Sequence, residues 1–417
     1  MKHLLILAAL LFLEGMTSCK NSSSENSTPI RKVVFVIVDG IPEDVIQSVK
    51  TPILDEIISQ GAFIPAYVGG GAGTYSETPT ISAVGYNSLL TGTWANKHNT
   101  LDNNIENPNY HYWSIFRILK EQFPGKKTAV FSTWLDNRTK LIGAGLPQTK
   151  ELTIDYYFDG FEYDTLRFPH DEDSQYILDI DNYVVEEAGR VLRSQAPDLS
   201  WVYLQYTDNM GHSYGDHPRF EESVRLVDAQ LSHIWDAVKE RMDRYNEEWM
   251  LLITTDHGRT ADTGKDHGGQ TERERRIWIA TNIDEINSYG RSHRVGITDI
   301  LPSIAHYMGI SIPKAQGMEL DGVPFIGPVD VANLEAQKSG NRIEVYWKNF
   351  SKNDTGRLWI STSNHFKTGG EDRYFVKGDV PLSDEYTSFS VEHIPSPFYK
   401  IVLQTPNHYS NTWIVPE

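Results

Sequence analysis

The sequence predicts an α/β fold, a mostly parallel sheet flanked by helices, followed by a small all-β C-terminal module. Three observations carry this expectation. Val33-Val34-Phe35-Val36-Ile37-Val38 is an unbroken apolar run rich in β-branched residues, the mark of a strand buried on both faces. From Arg31 to about Ile326, strand-like and helix-like stretches alternate, as crossover helices between parallel strands require. After Pro328 no long helical pattern remains, and short runs are separated by Gly, Asn, Asp and Pro turns.

Taken in order, residues 1–18 read as a signal peptide rather than as part of the fold. Lys2 supplies the positive start, and Leu4 to Leu13 is an apolar stretch too short to span a bilayer comfortably. Met16-Thr17-Ser18-Cys19 then resembles a bacterial lipobox, and Cys19 is the only cysteine. The expectation is an exported bacterial lipoprotein, periplasm-facing or at the cell surface, held to the membrane by a lipid on Cys19. A polar tether would cover residues 19–29. With one cysteine, no intrachain disulfide can contribute to stability.

The catalytic domain is expected over residues 30–330. After Val33–Val38, further strands are expected at Thr128–Ser132, Trp201–Tyr206, Met250–Thr254 and Arg276–Ala280. Between the second and third of these, Phe220 to Tyr245 carries Val224, Val227, Leu231, Ile234, Trp235, Val238 and Met242 at steps of three and four. That stripe is the core-facing side of a helix. Residues 338–417 form the accessory β module, with strands around Ile343–Trp347, Leu358–Ser361 and Tyr399–Leu403. No internal repeat is visible.

The formal charge is −18, from 56 acids against 38 bases. A basic footprint is absent, which argues against a nucleic-acid polymer as partner. A small phosphorylated substrate stays admissible, because bound metal ions invert the local field.

Ligands of a mostly parallel sheet belong at the carboxyl ends of its strands. Asp39 follows Val38 there, Asp208 follows the strand ending near Tyr206, and Asp256 follows Thr254 and Thr255. Each is framed by chemistry-bearing neighbours: Asp208-Asn209-Met210-Gly211-His212, Asp256-His257-Gly258 and, a little later, His267-Gly268-Gly269. Asp39, Asp208, His212, Asp256, His257 and His267 provide six imidazole and carboxylate ligands without a thiolate. That set suits catalytic zinc, and six ligands suffice for two ions with positions left for substrate. His98, His170, His217 and His293 read as packing or surface residues. Arg138 either reaches a substrate phosphate or makes an ion pair.

Ser82 precedes Ala83 to Leu90, a short helix closed by Gly92. At a helix start, backbone N–H groups favour an alkoxide and a bound phosphate, and a neighbouring zinc would lower the hydroxyl pKa further. Serine is also a good N-cap. Alone, Ser82 would read as a cap, but beside six candidate ligands it reads as a nucleophile.

These motifs, together with Val38-Asp39-Gly40, Pro79-Thr80-Ile81-Ser82, Leu90-Thr91-Gly92, His98, Asp102-Asn103 and Thr298-Asp299-Ile300-Leu301-Pro302, resemble the alkaline phosphatase superfamily. The likeness is strongest to its nucleotide pyrophosphatase/phosphodiesterase-like branch, and it runs from about residue 31 to 326. The resemblance implies one zinc held by Asp208, His212 and His267. It implies a second held by Asp39, Asp256, His257 and the oxygen of Ser82. It makes Ser82, nine residues before Thr91, the nucleophile and Asn103 a donor to a phosphoryl oxygen. The diesterase branch usually has threonine at Ser82 and asparagine at Gly85, whereas serine followed by alanine is what alkaline phosphatases show.

The expected activity is therefore an exported two-zinc phosphoric-ester hydrolase of phosphodiesterase type, acting through a phosphoserine intermediate. The alternatives are a phosphomonoesterase, or an inactive glycan-binding surface lipoprotein. Ser82 lacks the Cys/Ser-x-Pro-x-Arg setting of a sulfatase. Asp155 to Asp181 combine aromatics (Tyr156, Tyr157, Phe158, Phe161 and Tyr163) with many acids, which suggests a segment that favours neutral or cationic leaving groups over nucleotide polyphosphates. The competing reading is a solvated acidic lid with its aromatics packed inward.

Overall fold

The computed structural model describes residues 28–352 and 355–416. The expected signal peptide, the Cys19 lipobox and most of the tether lie outside the described residues. Among those described, no helix is long and apolar enough to cross a membrane.

Eight strands form the main sheet: β1 (Ile30–Val38), β2 (Ala62–Tyr67), β3 (Thr128–Ser132), β4 (Tyr156–Phe158), β5 (Leu199–Leu204), β6 (Glu247–Thr254), β7 (Arg276–Thr281) and β8 (Val295–Gly296). Their order is β4-β3-β5-β1-β6-β7-β2-β8. All pairs are parallel except those made by β7, which runs against both β6 and β2. The fold is thus the mostly parallel α/β arrangement expected. The side chains of β1 explain its central place. Val33, Phe35 and Ile37 enter one core while Val34, Val36 and Val38 enter the other.

Helices cover both faces. Pro52–Gln60, Gln175–Gln195 and Pro218–Arg244 close one core. Ser82–Thr91, Ile115–Gln122 and Ile300–Tyr307 close the other. The helix read from the stripe at Phe220–Tyr245 spans Pro218–Arg244, with Pro218 in its first turn, where a missing N–H costs nothing. The strand expected to reach Tyr206 stops at Leu204, because Tyr206–Tyr214 is already helical and carries the next ligands.

The C-terminal part contains two antiparallel sheets. One is β9 (Val331–Ser339), β10 (Arg342–Asn349) and β13 (Tyr386–Ser390), in the order β13-β10-β9. The other is β11 (Thr355–Ser361), β12 (Phe375–Pro381), β14 (Tyr399–Gln404) and β15 (Tyr409–Ile414), in the order β12-β11-β14-β15. Val345, Trp347, Ile360, Ile401 and Leu403 lie in the core they share. The first of these strands begins at Val331, ahead of residue 338.

Buried charge joins this part to the catalytic layer. Lys400 on β14 is 1% exposed and pairs with Glu319 at 2.6 Å and Asp372 at 2.7 Å. Lys97, fully buried in the short helix Ala95–His98, meets Asp321 at 2.6 Å and Asn411 Oδ1 on β15 at 2.8 Å. Each ammonium is matched by carboxylate and amide oxygens, the condition under which a buried charge is tolerated.

Candidate metal centre and nucleophile

The carboxyl ends of β5, β1 and β6, three neighbours in the sheet, bring the candidate ligands together. Asp39 follows β1 directly. Gly40, at φ +68°, turns the chain away at once. A Cβ there would lie 2.6 Å from Arg259 and 2.7 Å from Asp208, so only glycine fits the approach. Asp208 and His212 lie one turn apart on the helix Tyr206–Tyr214 and therefore share a face, with Asp208 Oδ2 3.3 Å from His212 Nε2. Asp256 and His257 follow β6.

Two clusters result. In one, His257 Nε2 lies 3.4 Å from Asp39 Oδ1 and 3.3 Å from Asp256 Oδ2, all buried. In the other, His267 Nε2 lies 3.1 Å from His212 Nε2 and 3.9 Å from Asp208 Oδ1. The rings of His257 and His267 stack at 3.6 Å, so the clusters adjoin. Ser82 Oγ sits 3.4 Å from His257 Nε2, within the first of them.

The donor set fits divalent metal ions. His257 Nδ1 donates to the Gly258 carbonyl at 2.9 Å and His267 Nδ1 to the Thr80 carbonyl at 2.9 Å. Both rings thereby hold the tautomer that leaves Nε2 a free lone pair. Asp39 Oδ1 and Asp256 Oδ2 are buried and have no hydrogen-bond partner among the described residues. Such orphaned carboxylate oxygens are costly unless a cation occupies the space between them. Burial opposes a charge on His257, but Asp256, Asp39 and Asp208 outweigh it and raise the imidazole to about 9. A site that draws a proton so strongly is one a metal cation would occupy in its place. Burial and the neighbouring His257 lower His267 to about 4, which keeps its lone pair available.

Several residues that hold this geometry were not singled out from the sequence. Tyr203 donates to Asp39 Oδ2 at 2.7 Å, and Tyr86 donates to the same oxygen, leaving Oδ1 for the cluster. Tyr86 lies one turn after Ser82, a placement that could have drawn notice. Thr80 clasps the His267 loop: its hydroxyl donates to Gly269 O at 2.8 Å and accepts from Gly268 N at 3.0 Å. Arg259, fully buried, is the most connected of them. It donates to Gly40 O at 2.9 Å, Lys265 O at 3.0 Å and Asp208 O at 2.9 Å, and it pairs with Asp208 Oδ1. One planar guanidinium thus joins the segments carrying Asp39, Asp208 and His267. Its only sequence signal is its position directly after Asp256-His257-Gly258. Arg259→Met is expected to weaken metal binding by roughly 10–100-fold, the usual effect of losing a group that orients a ligand. Arg259→Lys should rescue little, since an ammonium cannot bridge all three carbonyls. Equilibrium dialysis against zinc checks this, and unchanged affinity in Arg259→Met would contradict it.

Ser82 begins the helix Ser82–Thr91, which Gly92 closes at φ +63°. The N-cap is Ile81, with no side-chain capping bond, so the Ser82 hydroxyl is not spent on capping. Asn103 Oδ1 accepts from Ala83 N at 3.0 Å, which places an exposed amide NH₂ donor over the helix start. Gly85 has a packing reason. A Cβ there would meet the Asp256 carbonyl at 2.9 Å, so glycine lets the helix bearing Ser82 approach the ligand loop closely.

Other candidates stay outside. Arg138 forms a two-pronged pair with Asp159 at 2.6 and 2.9 Å over the Tyr157 ring, the ion-pair alternative. His98 is buried against Ser88 and Thr100, and His170, His217 and His293 bond to nearby loop or helix-end atoms. Within 155–181, Asp155 is held by Lys120 and Lys127, Asp159 by Arg138, and Asp171 caps the helix Gln175–Gln195. Phe158 stacks on Phe131 and Phe161 packs against Tyr183. Three of its acids are thus held and Phe158 and Phe161 face inward, while Tyr157 and Tyr163 stay exposed, as do Asp164, Glu172 and Asp173.

A metal-ligand cluster at the carboxyl ends of a mostly parallel sheet, with a serine at a helix start beside it, defines a protein of the alkaline phosphatase superfamily. Residues 33–274, more than half of the chain, match the family model described as type I phosphodiesterase / nucleotide pyrophosphatase, and the chain belongs to that family. It is 25% identical over 342 residues to GPI ethanolamine phosphate transferase 2 of Schizosaccharomyces pombe, covering 74% of this chain and 41% of that protein. It is 24% identical over 208 residues to GPI ethanolamine phosphate transferase 3 of the same organism, covering 48% and 22%. The chain therefore spans well under half the length of these relatives. Among solved structures, the crystal structure of Ps i-CgsB aligns over 89% of this chain and 88% of its own, with TM-score 0.52 and 15% identity, a likeness of fold.

Proposed function

We propose that this protein is a two-zinc phosphodiesterase that cleaves through a covalent phosphoserine on Ser82. The observation that carries the reading is the Ser82 hydroxyl lying 3.4 Å from His257 Nε2, beside the unpartnered oxygens of Asp39 and Asp256. Asp208, His212 and His267 would hold one zinc, and Asp39, Asp256 and His257 the other. When bound, the pair would neutralise phosphoryl charge and favour the ionised serine. Ser82 Oγ attacks phosphorus and forms the P–O bond as the bond to the leaving alcohol breaks. The Asn103 amide and the N–H groups at the helix start hold the nonbridging oxygens. Water then attacks the phosphoserine from the side the alcohol has left, returning the Ser82 hydroxyl and releasing a phosphomonoester.

The phosphoryl group we favour carries an aminoethyl unit and the other alcohol leaves, since the relatives are named as transferases of ethanolamine phosphate. Those names also favour a second reading, in which an acceptor alcohol replaces water in the second step. Zinc-loaded protein assayed on chromogenic phosphate monoester, phosphate diester and sulfate ester, and on glycerophosphoethanolamine with and without added glycerol, tests the whole reading. Fastest turnover of diesters supports it, phosphoethanolamine marks hydrolysis, incorporation of isotope-labelled glycerol into glycerophosphoethanolamine marks the transferase variant, and fastest turnover of the monoester would sink it.

Export and a lipid on Cys19 belong to the same proposal and rest on Met16-Thr17-Ser18-Cys19. The protein should fractionate with membranes, whereas Cys19→Ser should be soluble or unprocessed. A wild-type protein that is wholly soluble and cleaved elsewhere contradicts the anchor.

A further inference from the structure

A second cavity lies between the catalytic layer and the β-rich part, away from the metal cluster. Its volume is about 550 Å³, in the range of small-ligand sites. Tyr67, Tyr75, Trp94, Tyr289 and Trp413 line it, yet no Lys, Arg or His does among the described residues. Tyr67 ends β2, which runs parallel to β1 three positions away in the sheet. At a strand spacing of ~4.8 Å, this puts the cavity floor about 14 Å from Asp39, on the same carboxyl-end side.

The charge of the lining selects among ligands. Without a cationic side chain, it offers a free anion nothing to pair with. Its inner carboxylates are already spent: Asp321 on Lys97 and Trp94 N, and Asp299 on Tyr289, Gly296 N and Val323 N. A cation would therefore meet only Glu335, which lies exposed at the rim. What remains unspent is neutral and polar. Tyr67 and Asn333 contribute a hydroxyl and an amide to that lining.

The backbone is also irregular at the wall of this cavity. Asn333 lies at φ +54°, a conformation that non-glycine residues seldom adopt. The register of β9 against β10 slips there: Ala332 faces Lys348 while Glu335 faces Tyr346, so Asn333 and Leu334 share one opposing residue. Such a bulge re-aims a side chain, and strained residues of this kind cluster at functional sites. Here the slip places an exposed amide on the cavity wall.

We propose that this cavity is a binding site for a neutral glycan, with its aromatic walls contacting sugar C–H groups and hydroxyl and amide groups such as those of Tyr67 and Asn333 bonding to sugar hydroxyls. The site is distinct from the metal centre and does not depend on the phosphodiesterase reading.

The full-length protein is titrated with cellobiose, N,N′-diacetylchitobiose, choline and inorganic phosphate, following tryptophan fluorescence and ligand-observed NMR. A disaccharide should bind with a dissociation constant on the order of millimolar, equivalent to the few weak bonds available. Tyr67→Phe and Asn333→Gly should each weaken it about fivefold, the effect of one neutral hydrogen bond. Glycine suits the backbone at position 333, so that variant keeps its fold, and turnover of a small chromogenic diester should be unchanged in both. Binding of choline or phosphate without either disaccharide would overturn the proposal. So would disaccharide affinity that is unaltered in both folded variants.

Discussion

Ser82→Ala should abolish turnover, by roughly four orders of magnitude or more, while leaving zinc content near two per chain. The expectation follows from where Ser82 stands. It is buried at the start of its helix, makes no capping bond and has its oxygen 3.4 Å from His257 Nε2. Removing one hydroxyl leaves the six carboxylate and imidazole ligands in place, so metal should stay when chemistry goes. Metal analysis and single-turnover kinetics on the same preparation measure both quantities. The informative control is Thr80→Ala. Thr80 is committed to the Gly268 and Gly269 backbone, so its loss should loosen the His267 loop and lower metal affinity without removing a nucleophile. If Thr80→Ala were the dead variant and Ser82→Ala remained active, the covalent step would belong two residues earlier.

His257→Ala should have the opposite signature. Zinc content should fall from about two per chain to about one, and activity by more than the roughly 10–100-fold expected for a supporting residue. His257 faces Asp39, Asp256 and Ser82 at once, and without it the two buried carboxyl groups, of which burial and Asp39 push Asp256 well above the usual range, lose their shared imidazole. The imidazole is raised to about 9 by those carboxylates against the opposing effect of burial. Its absence should therefore be felt even before metal is added, as a lower thermal midpoint of the metal-free protein. A variant that retains two zinc ions and full stability would remove His257 from the centre.

Much of this arrangement could be read from residues alone, and for physical reasons. The doubly buried β1 needs a continuous apolar run, and Val33 to Val38 is one. Ligands at the ends of parallel strands must follow such runs closely, which brought Asp39, Asp208 and Asp256 forward together. What escaped notice was what lacks periodicity or contradicts it. β2 contains Pro65, which cannot donate to a neighbour and reads as a strand breaker; it is tolerated because β8 pairs only with Ala66 and Tyr67, beyond the proline. β4 and β8 are three and two residues long, too short for any alternation. Arg259 carries no pattern because its work is done by reaching carbonyls far apart in sequence. The pairing of Asp155 and Asp159 could not be read for a related reason. A carboxylate looks free in a sequence until its lysine or arginine, folded in from elsewhere, appears beside it.

The ion pairs around Lys97 and Lys400 bear on the order in which the molecule is made. Lys97 stands only fifteen residues after Ser82, yet one of its partners is Asn411 near the other end of the chain. Glu319 and Asp372 likewise wait for Lys400. During synthesis, the segment around the nucleophile is therefore produced early and gains its last supports only when β14 and β15 have left the ribosome. A growing chain holds the whole set of catalytic side chains well before it holds the strands that steady them. The same wiring means that trimming β15 would be felt at the short helix Ala95–His98, which follows the helix that begins at Ser82.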